Sequence, residues 1–491
     1  MNKLLIALLA AGLSSGLSGC VSTSDSASAA VAAPALEKAP FVVPALANNS
    51  AKFTLPSYEQ VQLDNGLTVY LLQRDTVPLI TVSAVVRAGA VNDAEPGTAM
   101  LTSQATLLGT STMDKNTLEE TVESLGASLD ANAGKEGTQI HSQFQSKDLA
   151  VMMPLLAQVL TQPSFPADEV AKARDRYVAQ LSQQKESPRQ VIGNYFDRLL
   201  YGNHPYGNAA AGNADAIAQL DEFDLKLFHG SWYQPRNSAL IIAGDFDRAA
   251  VMAMVQQQFG GWADRKTPTP PNVAAAVAKP SNAKVLLVDK ADARETTFLI
   301  GGPGVARDNP DYVGLQVINT ILGGRFTSWL NDELRVNAGL TYGARSRFNA
   351  QGQHGSFYIS TFTATPTTKD ALDLALKTYG RLWQQGIDQA TLDSAKAYVK
   401  GQFPPKYETA DQLAGLLGQM HLMAMDPQQL NRFSQQVDAL SLADAQQLVS
   451  KYFPKDNLQF VLVGKADDIR DLAGSYGDVT EVSINKAGFN F

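Results

Sequence analysis

The sequence predicts an α+β protein of two homologous α/β sandwich halves, each a mostly antiparallel sheet covered by helices. Three observations carry this. Strand-like and helical stretches alternate irregularly, without the regular crossovers of a parallel sheet. A proline-rich stretch at 264–283, containing Thr267-Pro268-Thr269-Pro270-Pro271, can continue neither a helix nor a central strand, and it divides the body into parts of similar length. Both parts also end alike. Tyr233-Gln234-Pro235-Arg236-Asn237 leads into the apolar run Ala239–Ala243 and Gly244-Asp245. Tyr452-Phe453-Pro454-Lys455-Asp456-Asn457 leads into Phe460–Val463 and Gly464-Lys465. Each reads as a helix end, a proline turn, an edge-approaching strand and a glycine, and such a match at the ends of equal halves points to duplication. Helices are expected on one face of each sheet.

The individual elements follow from local chemistry. Val61–Leu63 and Leu67–Tyr70 flank Asp64-Asn65-Gly66 and read as strand, Asn-Gly turn, strand. Ile80–Val86 is rich in β-branched residues and reads as a further strand. Helical patterns cover Leu118–Leu125 and roughly Pro166–Lys185. At roughly 100–200 residues per domain, 491 residues hold two to four domains. The net charge of −8 argues against a nucleic-acid partner, which requires a basic footprint.

The beginning of the chain reads as a targeting segment. Lys3 precedes the apolar run Leu4–Leu13, which is short for a membrane span, and Leu17-Ser18-Gly19-Cys20 follows. Small residues before a cysteine, after an apolar stretch, resemble a bacterial lipoprotein cleavage signal; an ordinary signal peptide with an incidental cysteine is the other reading. Cys20 is the single cysteine, so no internal disulfide forms, and lipidation explains it more simply than redox chemistry. By resemblance to lipoprotein sorting rules, Val21 favours the outer membrane. The expected organisation is a signal peptide at 1–20, a flexible Ala/Ser/Pro tether at 21–50, a first domain at 51–265, a linker at 266–283 and a second domain at 284–491.

Common catalytic constellations are missing. Gly12-Leu13-Ser14-Ser15-Gly16 fits a nucleophile-elbow string but lies in the targeting segment. Gly301-Gly302-Pro303-Gly304 and Gly323-Gly324-Arg325 lack the lysine–hydroxyl pair of a phosphate loop and read as tight turns. The five histidines, His141, His204, His229, His354 and His421, show no helical ligand spacing, although ligands distant in sequence could converge in space. His204, in Asn203-His204-Pro205-Tyr206-Gly207, reads as a structural or surface histidine in a turn.

Several segments taken together resemble the pitrilysin/insulinase family of zinc peptidases, in particular its processing-peptidase branch. They are Leu63-Asp64-Asn65-Gly66-Leu67, Gly97-Thr98-Ala99 leading to Gly109-Thr110, Leu125-Gly126-Ala127, Asn203-His204-Pro205, and Tyr233-Gln234-Pro235 to Gly244-Asp245. In the second half, Ile321-Leu322-Gly323-Gly324 through Leu334-Arg335 to Gly339-Leu340-Thr341-Tyr342 is the most specific match. The resemblance covers about residues 55–480.

It implies an inverted His-x-x-Glu-His zinc motif on a helix, with a distal Glu completing the site and the motif Glu handling the proton of the attacking water. Counted from Gly97-Thr98-Ala99, the motif falls on Met100, Ser103 and Gln104, and the distal position falls near Gln180. A thioether, a hydroxyl and neutral amides hold zinc poorly, and none is a general base at neutral pH. The resemblance also implies that Arg335 and Tyr342 bind substrate backbone and an incipient oxyanion. The alternative is that Arg335 pairs with Glu333 or Asp332 and Tyr342 is merely packed.

The leading expectation is therefore a catalytically silent subunit of a heteromeric zinc endopeptidase. No catalytic or metal residue and no cofactor is expected in this chain; zinc is expected in a partner subunit of the same family. Peptide is the expected substrate, and the chain is expected on the bacterial cell envelope, lipid-anchored, facing the periplasm. The alternative from another class is a structural or peptide-binding envelope lipoprotein with no role in proteolysis. A stand-alone hydrolase with an unforeseen residue set is the third.

Overall fold

A computed structural model describes residues 53–491. Cys20, the targeting segment and the whole tether at 21–50 lie outside the described residues. The first half runs β1 (Glu59–Gln62), β2 (Thr68–Gln73), β3 (Leu79–Val86), α1 (Thr98–Ala105), α2 (Lys115–Ser124), β4 (Ser128–Ala133) and β5 (Thr138–Gln145). It continues through α3 (Leu149–Thr161), α4 (Ala167–Gln184), α5 (Pro188–Tyr201), α6 (Ala214–Ile217), α7 (Glu222–Trp232), β6 (Ser238–Gly244) and α8 (Arg248–Phe259). The second half runs β7 (Lys284–Asp289), β8 (Glu295–Pro303), α9 (Tyr312–Asn319), α10 (Trp329–Asn331), β9 (Arg345–Ala350) and β10 (Gly355–Ala364). Then come α11 (Thr368–Gln384), α12 (Gln389–Gln402), α13 (Ala410–Met423), α14 (Pro427–Asn431) and α15 (Phe433–Ala439). The chain closes with α16 (Leu442–Tyr452), β11 (Gln459–Gly464), α17 (Ala466–Ala473) and β12 (Asp478–Ser483).

Each half carries one six-stranded sheet, ordered β1-β2-β6-β3-β5-β4 and β12-β7-β11-β8-β10-β9. The duplication is visible in the pairing. β2 lies parallel to β6 as β7 lies parallel to β11, and β6–β3–β5–β4 and β11–β8–β10–β9 are antiparallel throughout. Only the edges differ, since β1 is antiparallel to β2 whereas β12 is parallel to β7. The apolar runs expected to approach an edge are instead interior strands, because β6 and β11 each pair on both sides.

The central strands of each sheet are buried on both faces, not one. Successive residues of a strand point to opposite faces. In β6, Leu240 and Ile242 join the first half's own helices, while Ala239, Ile241 and Ala243 pack on the other side against Leu413, Leu416 and Leu417 of α13. In β11, Phe460 and Leu462 face the second half's helices, while Val461 and Val463 meet Val191, Ile192 and Tyr195 of α5. The halves thus exchange a helix each, and the continuous apolar runs of β6 and β11 are the signature of two-sided burial.

The glycine runs read as tight turns take other forms. Gly301 and Gly302 lie within β8, where a Cβ at Gly301 would collide with the Phe357 carbonyl of the neighbouring strand. Gly323 and Gly324 end a π-helical turn, Thr320–Gly324, and a Cβ at Gly323 would collide with the Ser346 backbone nitrogen of β9. Close backbone approach, not turn geometry, requires glycine at both places.

Candidate functional site

α1 is positioned from its N-terminal end. The Asp93 carboxylate accepts hydrogen bonds from the Gly97 nitrogen (2.8 Å) and the Ala99 nitrogen (2.7 Å), satisfying two otherwise orphaned donors of the first turn. Desolvation raises its pKa from 3.8 to about 7, against the lowering effect of those two bonds.

Met100 and Ser103 are buried on α1, and Gln104 is half-buried. The Ser103 hydroxyl donates to the Met100 carbonyl at 2.7 Å, so it is turned back onto its own helix. Gln180 is exposed near the end of α4. The four positions therefore do not fit a zinc ion. The donor set is a thioether, a hydroxyl committed to the backbone and two neutral amides. Among the described residues no cluster of three or more His, Cys, Asp or Glu could hold a metal.

Each histidine has a local partner. His141 Nε2 lies 3.0 Å from Asp411 Oδ1, and His229 Nε2 donates to the Leu160 carbonyl at 2.9 Å. His421 Nδ1 hydrogen-bonds the Tyr70 hydroxyl at 3.2 Å. His204 Nδ1 accepts from the Tyr206 nitrogen at 3.2 Å, which fits the structural reading. The fold does bring two distant histidines together: the His204 and His354 rings meet edge-on with centroids 5.3 Å apart. His354 Nε2 in turn donates to the Ala275 carbonyl of the linker at 2.8 Å. Burial depresses the pKa of His229 to about 4, and does the same for His421, assisted by the nearby Arg87 cation.

The second-half segment is built differently. After α9 the chain forms the π-helical turn Thr320–Gly324, then α10 and a second π-helical turn, Asp332–Asn337. Such turns recur at functional sites. Leu334 is buried and anchors the second turn, while Arg335 is half-buried. Its guanidinium carbon lies 4.7 Å from the Tyr342 ring centroid and 4.8 Å from that of Phe326. Tyr342 is 76% exposed and Phe326 64% exposed.

Pairing of Arg335 with an adjacent acid is not seen. Glu333 is engaged by Arg381 at 3.3 Å, and no carboxylate among the described residues lies within 4.0 Å of Arg335. The structure brings Arg335 and Tyr342 together and adds Phe326, which sequence reasoning missed. Its only signal was an aromatic placed just after Gly323-Gly324-Arg325. An arginine over two exposed rings, without a carboxylate partner, keeps N–H donors available for a carbonyl or carboxylate.

Comparison with known proteins concerns the chain as a whole. A family model described as insulinase (peptidase family M16) matches residues 69–214, and one described as the peptidase M16 inactive domain matches residues 220–399. An uncharacterized zinc protease of Mycobacterium leprae is 24% identical over 349 residues, covering 70% of this chain and 78% of that protein. Subunit 1 of the mitochondrial cytochrome b-c1 complex of Bos taurus is 26% identical over 272 residues, covering 55% of this chain and 56% of that protein. A crystal structure of a peptidase M16 inactive domain from Pseudomonas fluorescens superposes with a TM-score of 0.77 at 25% identity, covering 83% of this chain and 98% of that one.

Proposed function

From the premise that this chain belongs to the insulinase family, peptidase family M16, as a member without the zinc motif, we propose that it is the non-catalytic subunit of a heteromeric zinc endopeptidase. In this reading a partner of the same family holds the zinc, and this chain supplies Arg335 and Tyr342 to the peptide substrate. The single observation that supports it most is the Arg335 fork, held between the exposed Phe326 and Tyr342 rings with no carboxylate partner among the described residues. Donors held in place and facing solvent suit a carbonyl whose negative charge grows during peptide hydrolysis. Cys20 carries the lipid anchor in this reading, and residues 21–50 tether the body to the outer membrane on its periplasmic side.

The test begins with purification of the tagged, lipidated protein from its native membrane in mild detergent. A co-purifying chain bearing His-x-x-Glu-His in near-equal amount is the expected result. Peptide hydrolysis by the pair should then fall at least about tenfold with Arg335→Ala, the scale of a lost transition-state donor. A partner whose proteolysis ignores Arg335→Ala and Tyr342→Phe would sink the reading. The similarity to a cytochrome b-c1 complex subunit favours one second reading, a structural or peptide-binding envelope protein with no part in proteolysis. Purification with non-peptidase envelope proteins alone would favour it.

A further inference from the structure

A cavity of about 560 Å³ lies in the second half between α9, α12 and the α13–α15 segment, away from Arg335 and Tyr342 in its lining. α9 and α12 occupy the places in the second half that α1 and α4 occupy in the first. α4 places Val170, Tyr177 and Leu181 in the first core, and α12 likewise places Leu392 and Ala395 in the second.

The lining has a consistent chemistry. Arg307, Lys406 and Arg432 contribute positive charge and no Asp or Glu lines the cavity; Arg432 is engaged by Asp426 at 3.5 Å, whereas among the described residues neither Arg307 nor Lys406 has a carboxylate within 4.0 Å. Aromatic walls come from Tyr312, Tyr407 and the stacked pair Phe403–Phe433, whose centroids lie 3.7 Å apart. Gln436 also lines the cavity, and its buried Oε1 has no hydrogen-bond partner among the described residues.

We infer that this cavity binds the free C-terminal end of a short peptide that terminates in an aromatic residue. The carboxylate meets Arg307 and Lys406, and the aromatic side chain enters the walls of Tyr312, Phe403 and Tyr407. The volume falls within the range of about 300–1,000 Å³ usual for small-ligand sites. This inference is independent of the proteolytic reading, because it needs neither the partner nor Arg335.

The experiment is calorimetric titration of the full chain, in mild detergent at low salt, with N-acetylphenylalanine and separately with its neutral amide. Saturable binding of the acid is expected, with the amide weaker by about tenfold, the scale of a charge-assisted pair. Arg307→Gln and Lys406→Gln should each weaken the acid about fivefold or more, consistent with loss of one charged contact. Lys406 is exposed, so its variant is expected to unfold at the parent's temperature even if Arg307→Gln does not fold. The inference is overturned if the acid shows no saturation below about 10 mM, weaker than the weakest useful affinity. It is equally overturned if acid and amide bind alike, or if folded Lys406→Gln binds the acid unchanged.

Discussion

In the first half, the helix after the central strands is short, capped by Asp93 and packed shut: Met100 and Ser103 are buried, and the Ser103 hydroxyl is spent on its own backbone. In the second half, the counterpart helix breaks into two π-helical turns that leave Phe326 and Tyr342 exposed around a half-buried Arg335. The sheets beneath share their order and register pattern. One duplicated frame has thus kept packing where the zinc chemistry is gone and has kept irregular, exposed backbone where polar donors face outward. The difference teaches that the two tasks are separable: core positions tolerate replacement that preserves volume, whereas the donor cluster depends on local geometry that a regular helix does not provide.

The shared frame is the part that a mutation should break most severely. Leu417 of α13 is fully buried against the first sheet, so Leu417→Ala should cost about 2–5 kcal/mol and loosen the helix exchange. Denaturant unfolding measures it, and a loss below about 1 kcal/mol, the scale of a surface change, would contradict the two-sided burial. Next comes the closed helix. Ser103→Glu places an unpaired carboxylate at a fully buried position and should cost about 2–4 kcal/mol, whereas Gln104→His on the half-buried face should be nearly neutral. If Ser103→Glu were neutral, α1 would not be packed shut.

The open cluster should behave in the opposite way. Arg335→Ala and Tyr342→Phe should each leave stability within about 0.5–1 kcal/mol of the parent, since an exposed cation–π contact is worth no more. A separate, pH-dependent effect sets Asp93 against His421. Asp93 has a raised pKa in the folded state, so its contribution is present below about pH 4 and lost as pH rises toward 7. His421 has a depressed one, so its contribution is present above about pH 6.5 and lost as pH falls toward 4. Thermal unfolding between pH 4 and 7 should therefore shift its slope in opposite senses in Asp93→Asn and His421→Gln. Slopes that move the same way would contradict these environments.

Much of the fold was legible because its signals are local. The Asn65-Gly66 turn, the β-branched run Ile80–Val86 and the matching Pro-strand-Gly endings each report on their own backbone, and they located β2, β3, β6 and β11. Interior placement of β6 and β11, and the second covered face, were missed because they depend on α13 and α5, whose partners lie far along the chain. The glycine pairs were misread for a related reason. Gly301 and Gly323 are dictated by the neighbouring Phe357 carbonyl and Ser346 nitrogen, which the local sequence does not contain.

The candidate site divides along the same line. The residue types at Met100, Ser103, Gln104 and Gln180 already state that these positions suit zinc poorly, because ligand chemistry belongs to the side chain itself. The sequence by itself also determined the duplication and the α+β class, since both are written in patterns that repeat along the chain. Only the tertiary structure decided that Arg335 stacks between Phe326 and Tyr342 instead of pairing with Glu333, which Arg381 takes from another helix. It alone decided that His204 meets His354, and that Arg307, Lys406 and Gln436 share one cavity. Contacts between residues distant in sequence are set by how apolar faces pack, and that packing is a property of the assembled core rather than of any one segment.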